Sequence, residues 1–137
     1  MQNKHAFLML LLAFTIVFGQ GCTTTVVGPQ GETAAVYKFG TLTVEEPSDI
    51  SAVYEAAENA LTKLELNITQ KMKDELSAKI VARDSQDKKI TVNLASITTG
   101  STKMSIRAGS FAGARRIQEM VHDSLQQLEE KIRDRLK

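Results

Sequence analysis

Leu76-Ser-Ala-Lys-Ile-Val-Ala-Arg83, then Asp84-Ser-Gln-Asp87, then Lys89-Ile-Thr-Val-Asn-Leu94, is the stretch whose reading decides the fold. Leu76, Ala78, Ile80 and Ala82 alternate with Ser77, Lys79, Val81 and Arg83. Beyond the polar tetrapeptide, Ile90, Val92 and Leu94 alternate with Lys89, Thr91 and Asn93. A period of two puts every second side chain on one face of a strand, so each segment has one apolar and one wet face. Asp, Ser and Gln between them supply turn chemistry, and the pair predicts a β-hairpin. Thr98-Thr-Gly-Ser101 makes a second turn, after which Met104, Ile106 and Ala108 alternate with Lys103, Ser105 and Arg107. Upstream, Ile68, Gln70 and Met72 alternate with Thr69, Lys71 and Lys73 in a weaker strand. Such strands build an antiparallel sheet covered on a single side.

The cover comes from two amphipathic helices. Ile50, Val53, Tyr54, Ala57, Leu61 and Leu64 recur at spacings of three and four, with Glu55, Glu58, Asn59 and Lys63 on the other side. Ser48 and Asp49 are suitable N-caps for that helix. Before it, Val36 to Val44 is rich in β-branched and aromatic residues, reads as one strand, and is ended by Pro47. After the sheet, Gly109-Ser-Phe-Ala-Gly113 turns the chain into a final helix whose stripe is Ile117, Met120, Val121, Leu125, Leu128 and Ile132. The prediction is an α+β two-layer sandwich: an antiparallel sheet of four or five strands, two helices on one face, and the order β-α-β-β-β-β-α. A chain of 137 residues, 42% hydrophobic and 24% charged, suits one such core and no second.

The start of the chain reads differently. Met1-Gln-Asn-Lys-His5 carries one lysine and no acid, and leads into an almost wholly apolar run from Ala6 to Phe18. As a helix that run covers roughly 20 Å, short of a hydrocarbon core of about 30 Å, so it fits an export signal better than a membrane span. Phe18-Gly-Gln-Gly-Cys22 ends it and resembles a lipobox, in which a small residue precedes a cysteine that receives a diacylglycerol with acyl chains such as palmitate. Gly21 and Cys22 fit; Gly19 stands where that motif favours an apolar residue. Ordinary signal peptidase would cut the same bond and leave a free thiol. Cys22 is the only cysteine, which favours lipidation over an unpaired thiol in an oxidising compartment. The expected division is a cleaved signal peptide over 1–21, a lipidated Cys22 and flexible tether over 22–34, and one domain over 35–137. Thr23 is not the aspartate that resembles an inner-membrane retention signal, so the expected location is the outer membrane, facing the periplasm.

One resemblance is visible in the folded part. Tyr37, Gly40 and Leu42, the pattern Val53-Tyr54-x-Ala56-x-x-x-Ala60-Leu61, the pattern Ala78-x-Ile80-x-Ala82-Arg83, and Ser105-Ile106-Arg107-x-Gly109-x-Phe111 resemble a family of small bacterial lipoproteins known only as a domain of unknown function of the 3568 type. The likeness spans roughly residues 36–130 and rests mostly on structural positions. It implies a lipid-anchored envelope protein with this order of elements, and it implies no activity.

The chemistry on offer is sparse. Lys and Arg number 17 against 16 Asp and Glu, and loss of residues 1–21 would remove Lys4 and no acid, leaving the two signs equal. That balance gives no case for nucleic acid, and the absence of Trp weakens base or sugar stacking. No catalytic or metal-binding constellation can be assembled, and no cofactor motif occurs: His122 lacks convergent partners, and the paired acids Asp74/Glu75 and Asp84/Asp87 sit at turns. Gly109, Gly113 and Arg115 form a candidate anion loop at a helix N-terminus, although glycines also serve such a turn for geometry alone. The sharper feature is the wet face of the sheet. Strict alternation places Lys71, Lys73, Lys79, Arg83, Lys89, Lys103 and Arg107 there with no matching acid, while the acids gather on helices and turns. The expected function is a non-enzymatic, membrane-anchored module whose basic face meets an anionic lipid, glycan or protein. The alternative is a structural or assembly accessory that docks an envelope protein through the sheet edge or the acidic helix face. Lysines on solvated strands also discourage edge-to-edge aggregation without any partner.

Overall fold

The structure, a computed structural model, describes residues 35–137 in full and the backbone of residues 24–26. The expected signal peptide over 1–21, Cys22 and most of the expected tether lie outside the described residues. The elements in chain order are β1 (Thr24–Val26), β2 (Ala35–Lys38), β3 (Thr41–Glu46), α1 (Ile50–Lys63), β4 (Asn67–Lys73), β5 (Ser77–Arg83), β6 (Lys89–Thr98), β7 (Ser101–Arg107) and α2 (Phe111–Arg135). The strands form one sheet in the order β1-β2-β3-β7-β6-β5-β4, with every pairing antiparallel.

The apolar members of each alternation meet the helices. Leu42, Val44, Ile80, Val92, Leu94, Met104 and Ile106 from the sheet, Val53, Ala56, Ala57, Ala60 and Leu61 from α1, and Ala114, Ile117, Val121 and Leu125 from α2 make one buried cluster. The alanines of α1 let that helix lie close to its neighbours. Asp49 caps α1 by accepting from the N–H groups of Ser51 and Ala52 at 2.9 and 3.1 Å. This is the α+β two-layer sandwich with both helices on one face.

Three details depart from the sequence reading. Val36 to Val44 is a hairpin, not one strand: Tyr37 pairs with Leu42 and Lys38 with Thr41, leaving a two-residue turn at Phe39-Gly40. Both turn residues have positive φ, 50° and 75°, the backbone of a type I′ turn whose twist suits a hairpin. Thr24–Val26, expected to be tether, runs along β2 as an edge strand. The domain therefore has six strands, β2 to β7, with β1 as a short seventh, against the four or five expected.

The third departure is in β4. Its pairing with β5 runs Ile68 to Ala82 and then Gln70 to Val81, so Thr69 is an extra residue with no partner. A one-residue slip exchanges the two faces of a strand. Downstream of the bulge, Lys71 pairs with Ile80 and Lys73 with Ala78, both helix-side residues, while Gln70 and Met72 turn to the open face.

Candidate anion-binding face of the sheet

The open face can be read off the register. Lys79 lies beside Asn93 and Asn93 beside Ser105; Thr91 lies beside Arg107 on one flank and Val81 on the other; Lys89 lies beside Arg83. Thr43 and Glu45 of β3 continue the rows from Ser105 and Lys103, and Lys38 of β2 sits opposite Thr41. Five of the seven expected cations are therefore on this face. Lys71 and Lys73 are not, and they are the correction that the Thr69 bulge imposes. Lys71 Nζ reaches Glu58 of α1 at 2.8 Å, and Lys73 Nζ lies 5.2 Å from the centre of the Tyr54 ring. The Glu58 carboxylate accepts a hydrogen bond from Lys71 and holds that ammonium above its ordinary range.

The five do not carry equal weight. Arg83 is neutralised by Asp87, Nη1 donating to the carboxylate at 2.9 Å and to the Asp87 carbonyl at 2.8 Å. Lys103 lies directly opposite Glu45, an acid on the open face that the sequence reading did not place there, and Glu45 accepts from the Ser101 hydroxyl at 2.6 Å. Lys79, Lys89 and Arg107 remain. Together with Thr41, Thr91 and Asn93 they line a shallow depression of about 540 Å³. No acid lines it, and none of the three makes an ion pair among the described residues.

Arg107 is also oriented. Its Nε and Nη2 donate to the Thr41 hydroxyl at 3.2 and 3.1 Å, which holds the guanidinium plane at the rim. A guanidinium has five N–H groups in a fixed fork, so three remain for a ligand. Uncompensated like charges on adjoining strands repel by roughly 0.2–1 kcal/mol where directly opposed. An anion seated over Thr91 would relieve that repulsion and find hydroxyl and amide donors on the floor.

A family model for proteins of unknown function, DUF3568, matches residues 5–127. The chain belongs to that family. The match takes in the apolar segment, Cys22 and every described strand, and it ends at Gln127, within α2. A search of curated proteins gives no match.

The other candidate of this DUF3568 chain, the loop of Gly109, Gly113 and Arg115, serves the fold. Ser110 caps α2, its hydroxyl accepting from the Gly113 N–H at 3.1 Å. A Cβ on Gly113 would sit 3.1 Å from that hydroxyl and 3.2 Å from the Ala108 carbonyl, a tight fit that would press on the cap. Gly109, at φ 72°, needs glycine for its backbone. Arg115 turns along its own helix to Glu119 at 2.9 Å, whereas Arg116 and Lys88 are the cations beside the loop. Two of the turn acids are occupied: Asp84 accepts from the N–H groups of Gln86 and Lys88, and Asp87 pairs with Arg83.

Two features escaped the sequence reading. Glu46 is a buried acid, 3% exposed, with its carboxylate 3.6 Å from Nδ1 of a half-buried His122. The signal was present, since Leu42, Val44 and Glu46 share one alternation and hence the inner face. Phe39 is the second: at the hairpin tip it is 87% exposed. Among the described residues, no group of three or more His, Cys, Asp or Glu is placed to hold a metal ion.

Proposed function

We propose that the chain is a non-enzymatic bacterial lipoprotein, held by lipid on Cys22 at the periplasmic side of the outer membrane, and that its domain binds an anionic partner through the open face of the sheet. One observation carries the reading: Lys79, Lys89 and Arg107 converge on one depression that no acid lines among the described residues, whereas Lys71 and Arg83 are ion-paired and Lys103 stands opposite Glu45. A sheet needing lysines only to stay soluble would gain nothing by gathering three cations without acids around one depression. The depression offers cations, hydroxyls and an amide, the groups that recognise phosphate, carboxylate or sulfate, and no acid–base pair for catalysis. The isolated cysteine after Gly21 and the apolar run before it support the anchor.

Two measurements test this. Mass spectrometry of the N-terminal peptide from membranes should find Cys22 as the first residue with diacylglycerol mass; an unmodified thiol there refutes the anchor. Full chain in detergent should be retained on heparin resin and elute with salt, as expected for exposed charges. The triple variant K79E/K89E/R107E should lose that retention while keeping its circular dichroism spectrum. Unchanged retention refutes the face. K71E should leave retention as it is, because Lys71 lies on the helix side.

A further inference from the structure

We propose that the hairpin-tip end of the sheet docks on a bilayer bearing anionic phospholipid headgroups, with Phe39 entering the interface and Lys38, Lys89 and Arg107 meeting the phosphates. The inference rests on the preceding reading that the open face takes an anionic partner, and it names that partner. Four observations place the contact.

Phe39 occupies the first position of a two-residue type I′ turn, where Asn or Gly is favoured, with φ 50° and 87% of its surface exposed. A bulky residue in the left-handed region carries strain, and here the ring is outside the buried core. Strain of that kind persists where a function uses it, and an exposed ring on a rigid tip is suited to the headgroup layer.

Aromatic side chains also gather at this end. Tyr37 and Phe111 stack edge to face with centroids 5.1 Å apart, so three of the four aromatic residues in the described part lie beside the tip. The cations stand with them. Lys38 precedes Phe39, its Nζ 5.2 Å from the ring centre, and Thr41, the residue after the turn, is the acceptor that orients Arg107. The depression and the tip are thus joined through one threonine.

Finally, the chain enters the sheet here. Thr24 pairs with Tyr37 and β1 runs antiparallel to β2, so the start of β1 lies at the tip end. Thr24 is two residues after Cys22, a stretch that spans at most about 7 Å of extended chain. Any anchor on Cys22 or upstream therefore holds this end, and not the opposite one, against the membrane.

The chain contains no Trp, so F39W supplies a single fluorescent reporter at an exposed site. Full-length F39W would be reconstituted, anchored by its own N-terminal segment, in vesicles of phosphatidylcholine with or without phosphatidylglycerol, using acyl-brominated lipid as quencher. Bromine should quench the indole emission of F39W and shift it to the blue in the anionic vesicles, and Y54W, at the β4 edge, should stay unquenched. Adding K89Q and R107Q should lower the ratio of docked to undocked protein about 30-fold, as expected for two cations near an anionic surface. Equal quenching with and without phosphatidylglycerol, or none in either, overturns the inference. If heparin retention persists in that case, the anion-binding face stands and only its assignment to lipid falls. If heparin retention is absent while F39W is quenched, the broader reading fails and the tip contact remains.

Discussion

At the residue scale, the Phe39-Gly40 turn sets stability against exposure. A left-handed backbone costs an ordinary residue roughly 1 kcal/mol, and asparagine tolerates it best after glycine. F39N should therefore stabilise the domain by about 0.5–1 kcal/mol, raising Tm by about 2–6 °C for a domain of this size. Calorimetry of wild type and variant measures it, and a lower Tm would mean that the ring supports the fold. Gly40 gives the opposite sign. Its φ is 75° with nothing within 4 Å of a built Cβ, so G40A meets no clash and only backbone strain, and should cost about 1 kcal/mol. Chemical denaturation with an unchanged m-value would confirm that the loss is local. The two variants together separate conformational strain from the exposure of the aromatic ring, because only F39N removes the ring.

At the scale of elements, alternation made most of the sheet legible, since Leu42, Ile80, Val92 and Met104 are all buried where a period of two puts them. Two elements broke the rule for identifiable reasons. The tip of the β2–β3 hairpin lacks the Asn-Gly or Asp-Gly signal, so its turn was hidden inside a run of β-formers. Thr69 of β4 looks like any strand residue, and whether a chain pairs it or leaves it out is decided by the partner strand, which local sequence does not contain. The bulge has a consequence for pH. Lys71 reaches Glu58, and its ammonium is held above 10.5, first by the hydrogen bond and then by the charge of that carboxylate. Tyr54, beside them, is raised above 10.0 chiefly by burial and next by Glu58. Both groups bind their proton more tightly in the folded chain, so the stability they contribute is complete below about pH 10 and is lost as pH rises through the raised values. As pH rises above about 10, Tm should fall by more than in E58Q. Y54F should remove a further part of the slope, because burial of its hydroxyl is independent of Glu58. Parallel curves for wild type and both variants would show that this helix–strand contact is not coupled to protonation.

At the scale of the whole molecule, the elements share a polarity along the sheet. α2 begins beside the hairpin tip, where Phe111 touches Tyr37, and runs back past Glu46, which His122 meets at the far end of β3. Twenty-five residues of helix extend about 37 Å, whereas the longest strand, ten-residue β6, covers about 33 Å, so α2 outruns the sheet. Its buried residues end at Leu125 and its partly buried ones at Leu128; Ile132 and Leu136 are exposed although Ile132 continues the same apolar stripe. The family match closes at Gln127, where contact with the core is ending. In the docked arrangement proposed above, this overhang would point away from the membrane. Lys131, Arg133 and Arg135 are exposed on one unsupported helical segment. Helical turns without tertiary contacts open readily, and opening is what a protease requires. Limited trypsin digestion of the full chain should therefore cut at those three residues first, as mass spectrometry would read, and the product should keep its Tm within about 2 °C because no core residue leaves with the fragment. A first cut within β5 or β6, or a Tm lower by about 8 °C or more, would mean that the overhang folds back on the domain and belongs to its stability.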